Sequence, residues 1–200
     1  MIGRHRWYTI VTTVELAKGE ASLPHEAQQV PYGYEPPVER NKGTLIYYDT
    51  FEETTDEALA VAAETAKARA FARFVLYPVH EETARRMSSA PVSPFYKREK
   101  RLLAWIGERE DGAIELELDR WEGKRKKYTP MEAALRHLTE TLPGPHHVYM
   151  TPETATRFAS YASFETWISR IRLILSAMPS PIDPRLERYR NRWSLAWEDE

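Results

Sequence analysis

Residues 44–59, TLIYYDTFEETTDEAL, pass from a short apolar segment through a tight polar turn into an alanine-rich segment. No other stretch constrains the fold as strongly. Residues 44–48 are β-branched, leucine or aromatic and predict a strand. Thr54-x-x-Glu57 has the form of a capping box, which predicts a helix running to about Phe71. Leu59, Ala62, Ala63, Ala66 and Ala70 share one face at helical spacing, with small side chains suited to packing on a sheet. A strand leading directly into a helix is the building unit of parallel α/β sheets. Such junctions hold phosphates, because the helix N-terminus presents free N–H groups and positive dipole. This junction instead carries Glu52, Glu53, Asp56 and Glu57. The architecture of a nucleotide site meets the wrong charge for one.

The rest of the chain extends the pattern. Residues 7–16 predict an N-terminal strand, and the proline-punctuated 17–43 an arm or long loop. Residues 73–79 predict a buried strand, followed by a polar segment from His80 to Pro94 and a helix over 95–109. Residues 113–121 alternate as a strand, and Glu122–Lys127 form a basic turn. Thr129-Pro130 opens a helix to about Thr141; residues 146–150 are a strand. Helices are predicted from Thr151-Pro152 to Ser160, from Phe164 to Ser176, and over 185–197. The expected organisation is a strand and arm over 1–43. A Rossmann-like α/β domain with a mostly parallel, helix-flanked sheet and a helical tail follows over 44–200.

Composition sets limits. Two hundred residues suffice for one core. The absence of cysteine excludes disulfides, thiolate metal sites and cysteine nucleophiles. A net charge of −2 gives no overall attraction to nucleic acid or anionic membrane. No apolar run reaches spanning length, and MIGRHRWYTI has no apolar leader core. The expectation is a soluble, cytoplasmic protein.

With that order in place, the chain resembles the nicotinate mononucleotide adenylyltransferase family, within the HIGH-motif nucleotidyltransferases. That family places G-G-T-F-D-P-x-H-x-G-H-L after its first strand; the matching run here is Tyr48 to Leu59. Thr50, Phe51 and Leu59 match, and Glu52 stands near the aspartate. Phe74–Pro78 followed by Tyr96–Ile106, then Ile114–Asp119 with Gly123 and Lys127-Tyr128-Thr129, and finally Met150–Tyr161, resemble the later landmarks in order. The resemblance covers residues 44–175. It implies a nucleotidyltransferase-type fold and a nucleotide pocket drawing on Thr50, Phe51, Thr151, Glu153, Tyr128, Thr129, Phe158, Tyr161 and Trp167. Arg85 and Arg86 stand where the family has a phosphate-binding lysine.

The departures bear on chemistry. Both histidines of the motif are replaced, by Thr55 and Ala58, and its glycines by Asp49 and Glu57. Donors aimed at developing phosphate charge are what such a transition state needs. Thr55 offers one weak hydrogen bond, and Ala58 none. The family's closing I-S-S-T-x-I-R segment has no counterpart. A phosphate about 6 Å from a carboxylate, at an effective dielectric of about 20, is repelled by roughly 3 kcal/mol. A helix dipole contributes only about 0.3–1 kcal/mol. Mg²⁺ held with ATP by Asp49, Glu52 or Asp56 would reverse that sign.

Other constellations are weighed on their residues. His80, at the end of a predicted strand beside Glu81 and Glu82, is a candidate acid, base or ligand or a plain loop histidine. His146 and His147 are adjacent on a strand and point to opposite faces, so they make a poor metal pair. His137 is expected at the surface. Lys124–Lys127 is a phosphate-binding run or a solvated tip. The tail, with Arg185, Arg188, Arg190, Arg192, Tyr189, Trp193 and Trp197, is a basic-aromatic binding surface or a helix docked on the sheet or on a second copy as a homodimer contact, and docking is the expectation. Three functions follow as expectations. The leading one is an adenylyltransferase-like protein with impaired catalysis that still binds a nucleotide, small molecule or protein. The others are an active Mg²⁺-dependent nucleotidyltransferase and a non-catalytic assembly protein.

Overall fold

The computed structural model describes residues 43–109 and 114–198. The predicted N-terminal strand and all of the arm except Gly43 lie outside them. In chain order the elements are β1 (Thr44–Asp49), α1 (Asp56–Ala68), β2 (Arg73–Pro78), α2 (Glu81–Met87), α3 (Phe95–Gly107) and β3 (Glu115–Leu118). Then come α4 (Trp121–Arg125), α5 (Met131–Thr141), β4 (His146–Met150), α6 (Pro152–Ser160), α7 (Phe164–Ile168) and β5 (Arg172–Leu175). The chain closes with α8 (Pro184–Arg188), a 3-10 turn (Arg190–Arg192) and β6 (Trp193–Leu195).

Six strands form one all-parallel sheet in the order β3-β2-β1-β4-β5-β6. This is the Rossmann-like doubly wound arrangement, with β1 at its centre. Strand side chains alternate between faces, so β1 serves two cores. Leu45 and Tyr47 face Leu59, Ala62 and Ala66 of α1 and Leu102 and Trp105 of α3. Ile46 and Tyr48 face Leu135 and Leu138 of α5, Phe158 of α6 and Phe164 of α7. The alanine face of α1 lies flat on the sheet, as its spacing predicts.

Several local expectations are corrected. The α1 cap is Thr55, whose Oγ1 accepts from the Ala58 N–H at 3.2 Å. Thr54 points back instead and donates to Asp49 Oδ2 at 2.7 Å. The segment His80–Pro94 contains α2, and the basic turn contains α4, which ends at left-handed Lys126. Residues 164–176 are not one helix: α7 stops at Ile168 and β5 follows, because Ile171, Leu173, Ile174 and Leu175 are all buried at the next sheet position. The tail is not one helix either. Trp193 is buried in β6 and donates through its indole to Leu186 O at 2.9 Å, while Trp197 remains 64 % exposed. His137 is not a simple surface residue; it stacks on Trp121 at 4.4 Å and meets Asp119 Oδ2 at 2.8 Å.

Gly43 immediately precedes β1 with φ +72°, and a Cβ there would lie 2.1 Å from the Pro145 carbonyl oxygen. That contact lets Thr44 N–H reach the same oxygen at 3.0 Å and joins β1 to the approach to β4.

Candidate functional site

The strand order reverses direction at β1 and β4, so the connections leaving these two strands diverge to opposite sides and leave a crevice at their C-terminal ends. The structure has an open cleft of about 680 Å³ there. Its floor includes Tyr47 and Tyr149, whose rings meet edge-on at 4.7 Å. Asp49, Thr50, Glu52, Glu53 and Thr55 line one side, and Thr151, Glu153, Thr154 and Arg157 another. The apolar remainder comes from Met87 at the end of α2 and from Ala90, Pro91 and Val92 beyond it. Two helix starts face this space, α1 capped by Thr55 and α6 capped by Thr151, whose Oγ1 accepts from Thr154 N–H at 3.3 Å.

The carboxylates are not equivalent. Asp49 accepts from Thr50 N–H at 2.6 Å and from Thr54 Oγ1 at 2.7 Å. Burial pushes its carboxyl up, and those hydrogen bonds oppose the push. Glu52 accepts from Ser93 N–H at 2.9 Å and Ser93 Oγ at 2.7 Å. Those bonds, with Arg98 and Arg101 nearby, pull it below the usual carboxylate range. Asp56 sits exposed in the first turn of α1, outside the cleft lining. Glu53 and Glu153 are exposed at the cleft mouth. Asp49 therefore already has partners from its own loop, and Glu52 has them from Ser93 in the connection between α2 and α3. Among the described residues no group of three or more His, Asp or Glu side chains could share an ion. Of the carboxylates named for Mg²⁺, Asp49 and Glu52 line the cleft and Asp56 does not.

The turn after β1 is clamped from α3. Arg98, 3 % exposed, donates to the Thr50 carbonyl, to Val79 O at 2.8 Å and to Ser93 O at 3.0 Å. Arg101 donates to Phe51 O at 2.7 Å. Phe51 adopts φ +57°, unusual for a bulky residue, and its ring is fully buried against Tyr47 at 4.9 Å. A left-handed backbone there is held by two arginines and a filled core position.

The remaining sequence-level candidates are dispersed. His80 caps α2, its Nδ1 accepting from Glu82 N–H at 3.2 Å, and lines a separate cleft with Phe95 and Tyr96. Arg85 pairs with Glu82 on the surface, and Arg86 lies 4.4 Å over the Tyr128 ring. Thr129 is fully buried and donates its N–H to Thr83 Oγ1 at 2.9 Å. Phe158 packs on Phe164 at 5.0 Å, and Tyr161 leans on the same core. Of the candidates, only Asp49, Thr50, Glu52, Thr55, Thr151 and Glu153 come together in the cleft.

Two features of the strand-end rim are hidden in the sequence, one in the cleft and one structural. Arg157, one helical step beyond Thr154, is the one cationic side chain lining the cleft among the described residues; its i+3 spacing from a residue near the cap was the available signal. Glu122 was read as part of a turn. It is 1 % exposed and accepts from Tyr77 Oη at 3.1 Å, His80 N–H at 2.8 Å and Thr83 Oγ1 at 2.9 Å. Burial raises its carboxyl to about 7. Nothing in its local sequence marks it.

Fold and cleft together define a doubly wound α/β protein with a switch-point pocket. No protein-family model matches the chain, and no curated protein matches it. No helix among the described residues is long and apolar enough to cross a membrane.

Proposed function

We propose that the switch-point cleft binds a ring-bearing small molecule of mononucleotide type, with one phosphate directed at Arg157, and that adenylyl transfer has been lost. The observation that carries this reading is the charge of the lining: Asp49, Glu52, Glu53 and Glu153 against Arg157 alone. A triphosphate placed among those carboxylates meets repulsion of roughly 3 kcal/mol per close pair. A single phosphate on a guanidinium fork has a favourable seat. The apolar wall of Met87, Pro91 and Val92 supplies a surface for a ring. Loss of transfer rests on Thr55 and Ala58, which offer no strong donor for developing phosphate charge. Trp193 completes its own sheet, so among the described residues a homodimer contact through the C-terminal segment would use the exposed Met178, Ile182 and Trp197.

Thermal-shift measurement with nicotinate mononucleotide, and with ATP in the presence and absence of Mg²⁺, tests the reading. A mononucleotide at about a hundred times its Kd stabilises the fold by about 2.7 kcal/mol. Arg157→Ala weakens that binding about tenfold, and ATP produces no comparable shift. Pyrophosphate release from ATP and mononucleotide with Mg²⁺ would overturn the loss of transfer. An absence of any mononucleotide shift would overturn the binding.

A further inference from the structure

The opposite end of the sheet carries a different feature. Around the N-terminal ends of β4, β5 and β6 lies a second cleft of about 670 Å³. Arg170, Arg172 and Arg192 line it, with His146 and His147, and no carboxylate of a described residue does. The chain as a whole has a net charge of −2, so this is a local reversal of sign.

The three arginines are held differently. Arg192 is fixed. Its Nε donates to Ile168 O at 2.9 Å, and its Nη2 to Ser169 O at 2.9 Å and Ile171 O at 3.0 Å. Carbonyl dipoles orient the guanidinium and supply no formal counter-charge. Arg172, exposed at the start of β5, donates to Asn191 O at 3.3 Å. Arg170, exposed in the preceding turn, lies 5.7 Å over Trp167. None of the three forms an ion pair among the described residues. Burial and the neighbouring Arg172 charge both disfavour the charged form of Arg192. The floor is formed by Ile171, Leu173 and Trp193, and apolar walls of this kind concentrate the field of the charges above them. Like charges gathered over an apolar floor repel one another, and a bound multivalent anion relieves that repulsion.

We propose that this cleft binds a small phosphorylated molecule carrying two or more adjacent phosphate charges, with Arg170 and Arg172 closing on it around the fixed Arg192. Guanidinium groups match phosphate oxygens with paired donors, which an ammonium cannot do. The arginines converge on one concavity instead of forming the extended stripe that a nucleic-acid backbone follows, so the occupant is compact. The site shares no residue with the switch-point cleft.

Inorganic tripolyphosphate serves as the probe, titrated calorimetrically into the full chain at about 0.15 M salt. The expected result is saturable binding with a one-to-one end point. The Arg170→Ala/Arg172→Ala double variant weakens it by about tenfold or more. Arg136→Ala/Arg188→Ala removes the same charge from exposed positions elsewhere and leaves affinity within about twofold. Should the first double variant lose its circular-dichroism spectrum, Arg172→Glu alone, at an exposed position, gives the same weakening. Non-saturable binding overturns the proposal, as does equal weakening in both double variants. Tighter binding of a short single-stranded oligonucleotide than of tripolyphosphate also overturns it, by making the cleft part of a nucleic-acid surface.

Discussion

At the C-terminal rim of the sheet, the end of β2 and the crevice between β1 and β4 both hold charged side chains and use them in opposite ways. Beyond β2, Glu122 is enclosed by Tyr77, His80 and Thr83, and Arg98 by the carbonyls of Thr50, Val79 and Ser93. These charges bind parts of the fold to each other. In the crevice, Asp49 is satisfied by its own loop and Glu52 by Ser93, while Arg157, Glu53 and Glu153 face open space. A charged residue at a strand end is therefore a poor sign of a site until its hydrogen-bonding capacity has been counted. By that count Glu122 is structural, Arg98 is clamped through three carbonyls although its Nη2 has no hydrogen-bond partner, and the crevice is where charged groups face open space.

The comparison breaks most easily at Glu122. Glu122→Ala leaves three buried donors without an acceptor and is expected to cost about 3–5 kcal/mol in chemical denaturation. A loss under about 1 kcal/mol would mean that the enclosure does not hold this side together. Next comes Arg98→Ala, which frees three carbonyls of the rim and costs about 2–4 kcal/mol. Arg98→Lys recovers only part of this, since an ammonium cannot span the same three oxygens.

A pH series sharpens the contrast. The Glu122 carboxyl is raised from 4.5 to about 7 by burial, so the folded state retains a proton that the unfolded chain releases. Its contribution to stability is fully present below about pH 4.5 and is lost as pH rises toward 7, with a slope reaching about 1.4 kcal/mol per pH unit. Asp49 shifts in the same direction and adds to that fall. Glu122→Gln flattens the profile between pH 5 and 7; an unchanged profile in that variant would remove Glu122 as its source. The smallest stability effect belongs to the crevice mouth. Glu53→Gln/Glu153→Gln changes stability by less than about 0.5 kcal/mol yet tightens mononucleotide binding severalfold by removing two repulsive charges. Weaker binding in that variant would show that these carboxylates contact the ligand favourably.

The central strand, its crossover helix and the alternation of strands with helices were legible, because residues 44–71 and 73–79 state their periods within single windows. The misread segments share a cause. Residues 170–176 and 190–195 are apolar or aromatic runs too short for periodicity to separate strand from helix, and the sheet edge decided them. Residues 81–87 were hidden because α2 buries only Thr83 and Ala84, too little to leave a stripe. At the cleft, Thr50, Thr55 and Thr151 could be named because the family resemblance maps its motifs onto them, and Asp49 because it ends a predicted strand among other carboxylates. Arg157 and the Met87–Val92 wall enter from other elements, and only tertiary packing brings them there. Phe51 and Phe158, which the resemblance maps to a pocket, are buried in the hydrophobic core, and Thr129 is buried with its N–H on Thr83 Oγ1.

The pairing of Thr44 with His146 has a consequence for how this chain acquires its cleft. The seam joins the first described strand to one that emerges much later, with β2, β3 and five helices in between. Contacts so remote in sequence close late, after the entropy of a long loop has been overcome. A growing polypeptide that has finished β3 can hold half a sheet, but it has no crevice. Ligand recognition thus arrives near the end of folding, and a bound molecule would act as a late clasp on the two halves.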